Sequence, residues 1–133
     1  MGKSKYNNKK VWYDGIKFDS QKERDYYIFL KHKESEGEIK NLRLQVPYIV
    51  IPKVEGEREV VKHLKRGDKI IIQKYVKQRA TEYFADFVYE DPVTGLEEVI
   101  DVKSKITRKK ESYRLKKKMM LAFLGIDIVE VVL

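Results

Sequence analysis

The segment from Tyr83 to Lys103 constrains the fold more than any other part of the chain. It begins with a run of seven residues, Tyr83-Phe84-Ala85-Asp86-Phe87-Val88-Tyr89, that is apolar or aromatic except at its centre. A second run at 97–103 follows after Asp91-Pro92-Val93-Thr94-Gly95-Leu96, whose Pro and Gly mark a loop. Two strands joined by a short loop pair as an antiparallel hairpin. If the loop folds symmetrically about Val93 and Thr94, Asp86 lies opposite Asp101. A slip of one residue would turn every side chain to the other face, so this register is the expectation on which the rest depends.

Strand geometry then groups the polar residues. Side chains two apart share a face, so Asp101 and Lys103 point the same way. Asp86 interrupts an apolar strand, and a carboxylate withdrawn from water needs a partner. Two facing carboxylates repel until a cation joins them. Mg²⁺ accepts oxygen ligands and keeps several waters, so two carboxylates and a backbone carbonyl suffice to hold it. A lysine beside such a metal suits positioning of an attacking water. A buried Asp–Lys ion pair explains the same spacing, and spacing alone does not choose between them.

A third acid stands upstream. Asp19-Ser20 opens a helix expected to run to about Glu36 and to close at Gly37, with Glu23, Tyr26, Tyr27 and Leu30 on its inner face. Ser20-x-x-Glu23 is also a capping box, in which Glu23 bonds back to the helix start. A first-turn residue can cap and still reach a neighbouring site.

Ahead of this helix, Val11–Tyr13 and Ile16–Phe18 flank Asp14-Gly15, a two-residue hairpin turn. Residues 42–51 read as a strand in which Pro47 marks an edge or a bulge. The charged stretch 53–68 reads as a helical excursion, and Ile70-Ile71-Ile72 begins another strand. The segment near 53–80 is open between a dimerisation element and a substrate-contacting flap. Helix 107–124 is expected to start at Thr107 and stop at Gly125, with Leu115, Met119, Ala122 and Phe123 as its core stripe. The apolar run from Ile126 to Val132 reads as a strand inside a sheet. Helix, strands, helix and strand in this order point to an α/β fold, a mixed sheet flanked by helices.

Charge is distributed unevenly. The net charge is +8, yet residues 1–10 carry +4, residues 103–118 carry +8, and the remainder carries −4. The first ten residues read as a flexible basic arm, with Lys9 and Lys10 at its end, and 11–133 as a single domain with a charged insertion near 53–80. Lys110, Arg114, Lys117 and Lys118 follow helical spacing and form a basic stripe, with Lys105 just before it. Positive patches on a mildly acidic body bind polyanions, nucleic acid above all. The chain has no cysteine, which excludes thiolate metal sites and disulfides and fits a cytoplasmic protein. No apolar stretch approaches a membrane span, and the first ten residues lack the apolar middle of a signal peptide. His32 and His63 lie in charged stretches without ligand spacing, and Trp12 and Tyr13 are explained equally by stacking on bases or by packing of the hairpin.

The succession of Glu23 on the first helix, Asp86 on a strand, and Asp101-Val102-Lys103 on the next strand resembles the PD-(D/E)XK nuclease superfamily. Lys5-Tyr6-Asn7, Asp14-Gly15-Ile16-Lys17-Phe18-Asp19-Ser20, Tyr83-x-Ala85-Asp86-Phe87 and Asp101-Val102-Lys103 further resemble small phage endonucleases of the Holliday-junction-resolvase type. That resemblance implies a restriction-endonuclease-like core in the order α-β-β-β-α-β. It implies that Asp86, Asp101 and the Val102 carbonyl hold Mg²⁺, which Mn²⁺ can replace, with Glu23 binding directly or through water. Lys103 would orient the attacking water. Glu97 and Glu98 offer other acids before Lys103, but only Asp101 stands two residues ahead of it. The implied activity is cleavage of DNA, branched DNA first, by a homodimer with no membrane association. A nicking or processing nuclease on ordinary duplex or single strands is the second reading. A non-catalytic DNA-binding protein is the third.

Overall fold

The computed structural model describes residues 9–104 and 109–133. The basic arm up to residue 8, the start of the second helix at Thr107, and Lys105 lie outside the described residues.

Local signals account for the first elements. Strands β1 (Val11–Tyr13) and β2 (Ile16–Phe18) pair antiparallel, with Tyr13 opposite Ile16. Asp14 and Gly15 between them have φ of 55° and 73°, the paired positive values that a tight hairpin turn demands. Helix α1 (Gln21–Ser35) starts at Ser20, whose Oγ accepts the Glu23 N–H at 3.1 Å. It ends before Gly37, at φ 77°. Ser20→Ala should therefore lower stability by about 1 kcal/mol, read as a shift of the urea midpoint at constant slope.

Strands β3 (Lys40–Ile51), β6 (Thr81–Glu90), β7 (Glu97–Lys103) and β8 (Val129–Val132) form a sheet in the order β3-β6-β7-β8. β6 and β7 are antiparallel, whereas β7 and β8 are parallel, so the sheet is mixed. The hairpin loop is tied by Asp91, whose Oδ1 accepts the N–H groups of Val93 and Thr94 at 2.8 and 3.0 Å. Pro47 sits in β3, an edge strand, where its missing N–H is harmless. The core gathers Phe18, Tyr27, Leu30, Ile39, Phe87 and Ile100 between the first hairpin, α1 and the sheet. Tyr27 stacks on Phe87 at 6.5 Å and donates its hydroxyl to Asp14 Oδ2 at 3.1 Å, locking the first hairpin to the helix. The fold is α/β, a mixed sheet with two helices. Without β1, β2, β4 and β5, its order is α-β-β-β-α-β.

Three expectations are corrected. Residues 53–68 contain no helix: β4 (Val54–Leu64) pairs along its length with β5 (Gly67–Gln78) as a two-stranded ribbon. The β-branched residues Val60 and Val61 stand opposite Ile71 and Ile70, and this pairing outweighs the helical tendency of the intervening Glu and Lys residues. Strand β8 is shorter than 126–132 and lies at a sheet edge rather than inside.

The third correction concerns helix α2 (Glu111–Leu124). It begins at its first acid, with extended Lys110 as N-cap, consistent with the positive end of a helix disfavouring a run of cations. Its buried residues are Tyr113 and Met120, not the stripe Leu115, Met119, Ala122 and Phe123. Leu115 and Phe123 are 54% and 63% exposed. Gly125 closes the helix at φ 67°, and the Ile126 N–H returns to the Met120 carbonyl at 3.1 Å.

The chain divides into two compact units. One runs up to Val46 and from Phe84 to Leu133, and holds the four-stranded sheet's core and both helices. The other, Pro47–Tyr83, carries the ribbon.

Candidate functional site

The hairpin places the acids where strand geometry requires. The β6–β7 ladder runs from Glu90 opposite Glu97 to Phe87 opposite Ile100, and Asp86 and Asp101 are the residues just beyond its last pair. There the Asp86 carboxylate enters the ladder itself: Oδ2 accepts the Val102 N–H at 2.9 Å. Asp101 is the neighbouring acid that acts most strongly on the Asp86 carboxyl, through hydrogen bonding and through its charge. Burial first, then that bond, then the charges of Asp101 and Glu23 raise the Asp86 carboxyl to about 8; the Val102 N–H partly opposes them.

Asp101 is 1% exposed, and its Oδ2 lies 3.3 Å from Lys103 Nζ. The Lys103 ammonium also sits 4.7 Å from the centre of the Tyr113 ring. Tyr113 donates to Glu130 Oε1 at 3.2 Å, and Lys117 Nζ reaches the same oxygen at 2.8 Å. Burial, with Asp101 and Glu130 nearby, pushes the Tyr113 hydroxyl far up, so it stays a neutral donor.

Glu23 caps the helix through its N–H, which Ser20 Oγ accepts at 3.1 Å, while its carboxylate is stabilised by the backbone of Asp19, the residue ahead of the N-cap. It is buried as well, and burial, Asp19 and Asp101 raise its pKa while Lys103 lowers it. The Coulombic link to Asp101 and Lys103 makes it part of the same cluster.

Glu23, Asp86, Val102 and Lys103 line one cleft of about 510 Å³ with Lys9 and Ser20, whereas Asp101, buried, is not among its lining residues. The cleft thus brings together Glu23, Asp86, Val102 and Lys103, and Asp101 joins them through its contact with Lys103. Glu97 is removed from the question, because it is held outside by Arg43 at 2.8 Å. Lys10 is exposed and does not line the cleft. Arg114, Lys117 and Lys118 line a different groove of about 570 Å³ with Lys109 and Leu121. Lys117 is bound to Glu130, so it does not point freely at a ligand as a solvated stripe would. Lys110 stands at the N-cap rather than within the helix. His63 bonds Asp68 across the ribbon at 2.7 Å, and Trp12 is 68% exposed with Lys17 beside its ring.

The sequence offers Gln45 as a residue that could project towards the site, without orienting it. It donates from Nε2 to Asp86 Oδ1 at 3.3 Å, and its φ of 50° is a left-handed value inside strand β3. Nothing in a strand-like pattern announces that twist. Glu130 escapes the sequence reading, although it carried a signal: it is an acid within an apolar terminal strand, as Asp86 is within its own.

Among the described residues no set of three or more His, Cys, Asp or Glu side chains forms a ready metal cage. The oxygens present suit a hard cation that needs few protein ligands. Asp86 and Asp101 act on one another strongly enough to raise the Asp86 carboxyl, a cost that a bound cation would relieve. Asp86, Asp101 and the Val102 carbonyl are the groups that could hold such a cation.

No curated protein and no solved structure matches the chain. A family model matches residues 3–126, and the chain belongs to the family described as Protein of unknown function (DUF1064).

Proposed function

We propose that the protein is a Mg²⁺-dependent endonuclease of the PD-(D/E)XK type, acting on branched DNA. The observation that carries this reading is the carboxyl pair of Asp86 and Asp101 beside Lys103, at the end of a strand ladder, with Asp86 and Lys103 lining a cleft and Asp101 buried. A restriction-endonuclease-like core agrees with the observed element order.

Phosphodiester hydrolysis needs a positioned water and positive charge on the phosphate oxygens. Mg²⁺ held by Asp86, Asp101 and the Val102 carbonyl, with Glu23 directly or through water, supplies that charge when bound, and Mn²⁺ substitutes for it. Lys103 is held by Asp101 and the Tyr113 ring, so its ammonium is fixed rather than mobile. It orients the attacking water and donates to the phosphate as charge grows there. Gln45 and the Val102 N–H hold the Asp86 carboxylate in one orientation. Lys9 extends positive charge along the cleft, and the Arg114–Lys118 groove offers further phosphate contacts. A homodimer working in the cytoplasm fits this reading. Among the described residues no helix is long and apolar enough to cross a membrane.

The competing reading is a non-catalytic DNA-binding protein. The closed contacts Lys103–Asp101 and Gln45–Asp86 favour it, since they satisfy the acids without a metal. A gel series with Mg²⁺ or Mn²⁺ on a four-way junction, a linear duplex and single strands separates the readings. Junction cleavage well above duplex cleavage is the expected result. Equal rates on duplex would remove the preference for branches and leave a nicking or processing nuclease. Binding with no cleavage under either metal would leave the non-catalytic reading.

A further inference from the structure

The ribbon of β4 and β5 segregates its charges by face. In an antiparallel pair, directly opposite residues project to the same side. One side therefore carries Glu57 with Lys74, Glu59 with Ile72, Val61 with Ile70, and His63 with Asp68. The other carries Arg58 with Gln73, Val60 with Ile71, and Lys62 with Lys69. Lys77 joins this second side: a side chain at Gly56 would meet Lys77 and Tyr75, so both lie over that glycine. The turn between the strands is Lys65-Arg66.

The acids of the ribbon thus stand on the first side, where Asp68 meets His63 and Glu57 faces Lys74. The second side and the tip present Arg58, Lys62, Lys65, Arg66, Lys69 and Lys77 with no carboxylate among them. Arg58 is occupied by uncharged groups, the Tyr75 ring at 5.0 Å and Gln73 Oε1 at 3.2 Å. Among the described residues these six cations make no ion pair. Lys62 and Lys69 are directly opposed like charges, an arrangement that destabilises a ribbon on its own. A polyanion removes that cost.

We infer that this basic side and tip of the ribbon form a nucleic-acid backbone-binding arm, with duplex DNA as the ligand that fits. Eleven residues of strand extend about 36 Å, about one turn of duplex, and a two-stranded ribbon is an element that the major groove admits. Lys62, Lys65, Arg66 and Lys69 gather at the tip, and Arg58 and Lys77 continue the positive charge towards the base, so several phosphates can be met along one side. The arm needs no metal and does not rest on the cleavage chemistry, so its failure and that of the nuclease reading are separable.

The test is binding of labelled linear duplex in EDTA over a series of KCl concentrations. The full-length K62Q/K69Q variant should bind at least about tenfold more weakly, and its salt slope should fall by about 1 for each lysine removed. Its Tm should rise, because a like-charge pair has gone. The E57Q/E59Q variant, altered on the opposite side, should keep the wild-type salt slope. Unchanged binding and slope in K62Q/K69Q would overturn the assignment, as would an equal loss of affinity in both variants. Should the Tm of K62Q/K69Q fall instead, K65S/R66S at the tip decides, and unchanged binding there overturns it. Preferential binding of the arm to anionic vesicles over duplex would also overturn it.

Discussion

Lys103→Ala should lower Mg²⁺-dependent cleavage about 10³-fold, the scale of losing one positioned donor or acid–base group. Binding of the same junction in EDTA should stay within a few-fold of wild type, because Lys103 is one cation among many along the surface. The structure explains why the effect should fall on turnover. Lys103 Nζ is fixed between Asp101 Oδ2 and the Tyr113 ring, 3.3 and 4.7 Å away, and a mobile lysine elsewhere cannot replace it. Single-turnover cleavage on gels, beside an electrophoretic shift in EDTA, measures both quantities. A variant that cuts at the wild-type rate would exclude Lys103 from the chemistry. Loss of binding in parallel with cleavage would make it a substrate-holding residue only.

Mg²⁺ should stabilise the protein more at pH 8 than at pH 5. The Asp86 carboxyl is raised to about 8 in the fold, mainly by burial and by its bond to Asp101. A group raised above its unfolded value contributes stability that is complete below that unfolded value, near 3.8. The contribution is lost as pH rises through the folded value, near 8. In EDTA, Tm should therefore decline across this interval more steeply than in Asp86→Asn. The raised Glu23 acts in the same direction. A divalent cation held by the ionised carboxylates would compete with protons there, so its affinity should grow with pH over the same interval. At a hundredfold excess over its Kd, it adds about 2.7 kcal/mol. Thermal unfolding of wild type and Asp86→Asn, with EDTA or Mg²⁺ at each pH, measures the effect. Equal Mg²⁺ shifts in both proteins would place the metal elsewhere.

Much of the site was legible because its geometry is local. The Asp14-Gly15 turn, the Ser20 cap and the loop closed by Asp91 and Gly95 depend on residues a few positions apart. Once the 91–96 loop is read correctly, a strand period of two carries Asp86 to Asp101 and puts Lys103 on the same face. The capping box likewise showed Glu23 at the start of α1 and facing inward. That it caps through its N–H and also lies within reach of the Asp101 charge required the packed helix.

Helix α2 was the least legible element. Its residues allow two apolar faces, Tyr113 with Met120 or Leu115 with Met119, Ala122 and Phe123. Helical periodicity identifies stripes but does not say which one the sheet covers. The choice matters to the site, because Tyr113 brings its ring under Lys103 and its hydroxyl to Glu130.

The sequence by itself determined the hairpin, its register, the Ser20 cap of α1, the Gly125 stop of α2 and the nearness of Asp86, Asp101 and Lys103. These follow from bonds and periodicities within one or two neighbouring elements. Tertiary structure alone decided the left-handed turn that aims Gln45 at Asp86, the rotation of α2, and the edge position of β8. It also decided the pairing that makes 54–78 a ribbon with one basic side. Each depends on which surface meets which across distant parts of the chain, and burial against that surface outweighs local preference.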